Sequence, residues 1–164
     1  MGLLAELADL EWDIVLFSEV RALDCAVLLG DGHKLIINSE GNIHSGVGIL
    51  IEKELVRRIR QVKRVSDRIM AIDMKFERMM IRFIAVYCPH AGYAMEKIER
   101  LYLVLDGVVA DAERRGFYCI IGGDFNTVYG VGMRGQLLAE FANTHGFDIS
   151  NHPDRLGNGQ DWDI

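Results

Sequence analysis

Two β-rich runs, Ile69–Phe76 and Met79–Tyr87, are separated only by the polar pair Glu77-Arg78. Extended segments joined by so short a polar break form an antiparallel hairpin. Pro89 ends the second run, because proline has no N–H to give to a strand ladder. A purely parallel, doubly wound sheet is thereby excluded.

Other elements can be placed around this hairpin. Leu3, Leu4, Leu7 and Leu10 recur at helical spacing, and the apolar run Ile14–Phe17 after them predicts a buried strand that ends at Ser18-Glu19. His33–Asn38 and Gly46–Ile51 are expected strands on either side of a Gly41-Asn42 turn. Lys53–Arg64 fits neither period well: Val56, Ile59, Val62 and Val65 match a strand poorly and a helix only in part. Met95–Arg115 carries Ile98, Leu101, Tyr102, Leu105, Val108, Val109 and Ala112 as a helical stripe closed by Gly116. A buried strand over Phe117–Ile121 follows, then a helix over Leu137–Phe141 and a short strand over Phe147–Ile149. The sum is an α/β fold with mixed, largely antiparallel sheets, its core between the sheets and its helices outside. One domain over residues 1–151 is expected, followed by a loop-like tail over residues 152–164, where Pro153, Gly157, Asn158 and Gly159 break any regular pattern.

Half of the residues are hydrophobic, enough for a sizeable core, so a disordered chain is excluded. Glu6, Asp9 and Glu11 interrupt the N-terminus where a secretory leader would be apolar, and no apolar run reaches membrane-spanning length. A soluble, intracellular protein is the expectation. Cys25, Cys88 and Cys119 are odd in number and lack the short paired spacings of a zinc site or a disulfide framework, and reduced, buried thiols are expected. The net charge of −6 argues against bulk electrostatic capture of nucleic acid. It conceals an asymmetry: Lys53–Arg82 holds Lys53, Arg57, Arg58, Arg60, Lys63, Arg64, Arg68, Lys75, Arg78 and Arg82, from a total of 18 Lys and Arg. Either this run is a phosphate-facing stripe or it is the solvated outer face of strands.

Three strand ends could carry chemistry. In Ile120-Ile121-Gly122-Gly123-Asp124-Phe125-Asn126, the glycines allow a sharp turn, and Asp124 and Asn126 share a face because they are two residues apart in extended chain. Such a pair can hold a water and a phosphoryl oxygen, or it can be a turn with Asx capping. Tyr87-Cys88-Pro89-His90 offers a phenol and an imidazole at a strand end, although an edge tyrosine also serves as plain packing. Phe17-Ser18-Glu19 presents a hard oxygen ligand suited to Mg²⁺, or simply a solvated acid.

The order of these motifs resembles the endonuclease/exonuclease/phosphatase superfamily: a strand ending in Glu19, one ending Tyr87-x-Pro89-polar, and one ending Gly123-Asp124-Phe125-Asn126. Ser66-Asp67-Arg68-Ile69-Met70 ahead of the hairpin resembles its non-LTR retrotransposon branch, whose endonucleases are exonuclease III-like. The resemblance implies a four-layer α/β/β/α sandwich and phosphodiester hydrolysis with Mg²⁺ or Mn²⁺. By position it implies Glu19 and Asp124 as metal ligands and Asp124 as the residue that orients or deprotonates the attacking water. It also implies Asn126 as the phosphate-orienting amide and Tyr87 as the active-site tyrosine, with His90, where the family often has Asn, as a substrate contact. The family's leading Asn-bearing strand and its closing Asp-His element have no counterpart, and neither His145 nor His152 lies in a matching motif, so a domain truncated at both ends is expected. DNA is the implied partner, and self-association through uncovered sheet edges is expected. An inactive remnant, and a phosphoesterase acting on a small-molecule or lipid phosphate, stand beside the DNA endonuclease.

Overall fold

The computed structural model describes residue 7 and residues 9–42 and 44–151. Two four-stranded sheets pack face to face. The first contains β1 (Ile14–Ser18), β2 (Cys25–Leu28), β3 (Lys34–Asn38) and β4 (Val47–Ile51) in the order β1-β4-β3-β2, all antiparallel. The second contains β5 (Ile59–Ser66), β6 (Ile69–Phe76), β7 (Met79–Tyr87) and β8 (Tyr118–Asp124) in that order. Its first three strands are antiparallel, and β8 runs parallel to β7. Helices α1 (Met95–Arg114) and α2 (Gly132–His145) cover its outer face. The fold is α/β, and none of the helices described is long and apolar enough to cross a membrane.

The central hairpin is buried on both faces, which explains why its strands are almost continuously apolar instead of alternating. Met70, Ile72 and Met74 of β6, with Phe83, Ala85 and Tyr87 of β7, meet Ile36, Val47, Ile49 and Ile51 of the first sheet. The intervening residues Ile69, Ala71, Ile84 and Val86 point the other way, onto Ile98, Leu101, Tyr102, Leu105 and Val109 of α1 and Leu138 and Phe141 of α2. Side chains alternate along a strand, so each strand supplies two cores at once.

At one register position the helix-facing row turns ionic. Asp73 pairs with Arg82 across the hairpin, and the two are 1 % and 0 % exposed. The guanidinium donates to both carboxylate oxygens, at 2.6 and 2.9 Å, and to the Val108 carbonyl and Asp111 of α1, both at 2.8 Å. Lys63 of β5 reaches the same Asp111 at 3.0 Å. The network therefore ties three neighbouring strands to one turn of α1. His145, at the end of α2, bonds to Asp106 and Glu113 of α1 and completes the helix layer.

Several expectations need correction. Strand β2 was not anticipated; it is an edge strand paired only with β3 and largely exposed, so burial imposes little pattern on it. Lys53–Arg64 holds a 3-10 turn, Val56–Arg58, followed by edge strand β5, whose register shifts at Ile59/Gln61 and Arg64/Ser66. Each bulge resets the two-residue period that a sequence pattern depends on. Strand β8 continues through Gly122 and Gly123 to Asp124, beyond the expected Ile121, and α2 begins at Gly132, ahead of the expected Leu137. Phe147–Ile149 forms no strand: the Phe147 N–H bonds to the Ala142 carbonyl and its ring stacks on Phe141, so the segment closes the helix. The helix expected over Leu3–Leu10 falls mostly outside the described residues, as does the tail from residue 152.

Two outcomes follow from the ionic network. Arg82→Met should lower unfolding stability in urea by about 3–5 kcal/mol by leaving the buried Asp73 only the longer contact from Arg115 at 3.5 Å, and adding Asp73→Leu should restore much of the loss. Arg82 and Lys63 hold the Asp111 carboxyl down to about 2. A carboxyl depressed on folding stabilises above its ordinary pKa and stops doing so as the pH falls through its folded value. Melting temperature should therefore drop between about pH 4 and pH 2, and less steeply in Asp111→Asn.

Candidate active site

The parallel register of β7 and β8 sets Tyr87 opposite Asp124, and one more ladder bond, Cys88 N–H to the Asp124 carbonyl at 2.8 Å, carries the pairing past the strand end. Gly123 makes this approach possible. With φ of 138°, it lies where a Cβ would stand 1.9 Å from the Val86 carbonyl oxygen. Gly122 faces the other sheet, and a Cβ there would meet Leu16 Cδ1 at 2.9 Å. The two glycines let β8 close against β7 on one side and β1 on the other, which brings the end of β1 to the same edge.

Asp124 Oδ1 accepts the Asn126 N–H at 2.7 Å, so the Asx turn that the sequence allows is made. Asn126 also donates its amide to the Cys88 carbonyl at 2.8 Å and sits at φ 49°. Cys88 thus ties the end of β7 to both Asp124 and Asn126, and Tyr87 stands in register with Asp124. Glu19 follows β1 at φ 55°, accepts from Arg21 at 2.6 Å, and has a half-exposed carboxylate. Tyr87 is 7 % exposed, and burial, followed by the negative charges of Glu19 and Asp124, raises its phenol above the ordinary range. The phenol is consequently a neutral hydrogen-bond donor at physiological pH. His90 is exposed; it accepts the Gly92 N–H at 3.1 Å and lies against the Tyr93 ring, so its described contacts are with its own loop.

Two arginines not singled out as site residues stand beside this unit. Arg68 lies over the Tyr87 ring at 4.9 Å and the Tyr93 ring at 5.4 Å, donates to the Tyr87 carbonyl, and accepts the Tyr87 N–H. Its place in Ser66-Asp67-Arg68 was a visible signal without a role. Arg134 of α2 donates to the Pro89 carbonyl, while its Nε and Nη1 are buried without partners. No local sequence pattern marks it.

No group of three or more His, Cys, Asp or Glu suited to a metal occurs among the described residues. The chemistry of Glu19 and Asp124 still fits a small hard cation, because Mg²⁺ needs only one or two carboxylates and completes its shell with water and substrate oxygens. Two surface depressions lie elsewhere: one of about 610 Å³ lined by Leu10, Glu11, Trp12, Asp13, His33 and Glu52, and one of about 360 Å³ lined by Arg57, Arg58, Arg60, Lys75 and Glu77.

The fold has clear counterparts among solved structures. The endonuclease domain of TRAS1, a telomere-specific non-LTR retrotransposon, superposes with a TM-score of 0.67 at 20% identity, covering 93% of this chain and 67% of that one. The AP endonuclease LMAP from Leishmania major gives 0.67 at 11% identity, over 86% of this chain and 60% of that one. The 3′ phosphatase NExo from Neisseria, bound to a product DNA hairpin, gives 0.63 at 16% identity, over 86% and 64%. This chain therefore spans less than two thirds of the last two. No sequence among the curated proteins compared matches it. The sequence model of the Endonuclease/Exonuclease/phosphatase family, however, matches residues 1–161, nearly the whole chain, and the chain belongs to that family.

Proposed function

We propose that the edge holding Glu19, Tyr87, Asp124 and Asn126 hydrolyses a phosphodiester of DNA with a divalent cation. The observation that carries this reading is the strand-end pair in which Asp124 stands in register with Tyr87 and is bonded to Asn126, itself held by the Cys88 carbonyl. Family membership supports phosphodiesterase-type hydrolysis in general. The DNA substrate rests on the endonuclease and DNA-bound neighbours, and a retroelement origin rests on the TRAS1 likeness with Ser66-Asp67-Arg68.

Each residue has a chemical part. Glu19 and Asp124 would hold Mg²⁺ or Mn²⁺, which supplies charge neutralisation at the phosphoryl oxygens and a more acidic bound water. Asp124, with one oxygen fixed by the Asn126 N–H, keeps the other lone pairs to orient or deprotonate the attacking water. Tyr87 donates from a neutral phenol to the charge developing on phosphorus-bound oxygen. Asn126 is held by the Cys88 carbonyl, which fixes its amide without reorganisation. Arg68, stacked on Tyr87, holds the ring in place.

A slow or inactive site is a second reading, favoured by one observation: no histidine among the described residues hydrogen-bonds to Tyr87, Asp124 or Asn126. The test is nicking of supercoiled plasmid with Mg²⁺ by the chain and its Asp124→Ala variant. The variant should be slower by about 10²–10⁴-fold, the range for loss of a positioned general base, and EDTA should abolish nicking. Nicking that persists undiminished in Asp124→Ala would overturn the assignment of this edge, and its absence from both chains would overturn the DNA endonuclease reading.

A further inference from the structure

The cationic run Lys53–Arg82 is divided by the fold. Arg82 is buried against Asp73, Lys63 is paired with Asp111, Arg64 donates to the Cys25 carbonyl, and Arg68 stacks on Tyr87. Four other cations converge elsewhere. Arg57, Arg58 and Arg60, from the 3-10 turn and the start of β5, line a shallow depression with Lys75 of β6, and Glu77 is its only acid. None of the four forms an ion pair with a described carboxylate.

The depression is also partly organised. Arg58 lies over the Phe76 ring at 5.1 Å and donates to the Lys75 carbonyl at 3.4 Å, while its Nε is buried without a partner. Arg60 donates to the carbonyls of Arg57 and Ile59 at 3.0 and 3.2 Å. Guanidinium groups oriented in this way keep the donor geometry that matches phosphate oxygens. Because Lys75 and Phe76 lie at the turn end of the hairpin and Tyr87 at the other, the cluster is about 25 Å from the candidate active site along the strands.

We propose that Arg57, Arg58, Arg60 and Lys75 form a second anion site, separate from the catalytic edge, that takes the phosphate backbone of a nucleic acid. An open depression ringed by unpaired cations suits an extended polyanion better than an enclosed small ligand. In a chain of net charge −6, this concentration of unpaired cations is where a polyanion is tolerated. The proposal does not depend on whether the catalytic edge cleaves anything. A competing account is that these cations guard edge strand β5 against pairing with another sheet.

The experiment measures binding of a fluorescent 20-base-pair duplex across a salt series, with the full chain and with the triple variant Arg57→Gln, Arg60→Gln, Lys75→Gln. All three positions are exposed, and unchanged melting confirms that the variant folds. The dependence of log K on log salt should flatten by roughly 2–3, at about 0.9 per lost phosphate contact. A variant carrying Arg57→Lys and Arg60→Lys should keep the original slope. An unchanged slope in the triple variant would overturn the site. Self-association of that variant in sedimentation, with duplex binding intact, would also overturn it in favour of edge protection. Displacement of the duplex by polyglutamate as effectively as by unlabelled duplex would overturn the phosphate assignment in favour of an acidic polypeptide.

Discussion

Adjacent strands that run in the same direction cannot be joined by a tight turn; the chain must cross back over the sheet before it can pair. Between β7 and β8 that return is α1, and its consequence reaches the candidate site directly. Both strands finish at the same end of the sheet, so the phenol of Tyr87 and the carboxylate of Asp124 arise from register alone. The approach is close enough that only glycine fits at position 123. The crossover helix in turn is held to the sheet by its apolar stripe and by Arg82, which joins Asp73 to Val108 and Asp111. An ion pair remote from the chemistry thus helps fix the layer that the parallel pairing needs.

The central hairpin was legible because its residues satisfy a local rule and a global one together: β-rich runs, a two-residue polar break, and burial on both faces. The crossover helix was legible from its stripe. The edges were harder. Strand β2 pairs with only one other strand, and β5 is bulged twice, so neither carries an uninterrupted period. Phe147 illustrates a different failure: an apolar residue after Gly146 looks like the start of a strand, but its N–H is taken by the preceding helix.

The candidate site divides along similar lines. Gly122-Gly123-Asp124-Phe125-Asn126 announces itself because a close approach and a turn both need particular residues in sequence. Arg68 and Arg134 do not, since their importance lies in what they touch across the fold, the Tyr87 ring and the Pro89 carbonyl. Charge density along the sequence was a poor guide as well. Arg82 and Arg57 belong to the same cationic run, yet one is sealed in the helix-facing core and the other stands on the surface.

Glu19 and Asn126 share a left-handed backbone but do not bear it equally. Asparagine adopts that conformation readily, whereas for a glutamate it costs about 1–2 kcal/mol that glycine would not incur. Relaxed selection would therefore push position 19 towards glycine, since the exchange relieves strain while removing a carboxylate. Among diverging copies of this sequence, the residue at position 19 becomes a gauge of whether the edge is still under selection, and it should record the loss of that constraint before the core does.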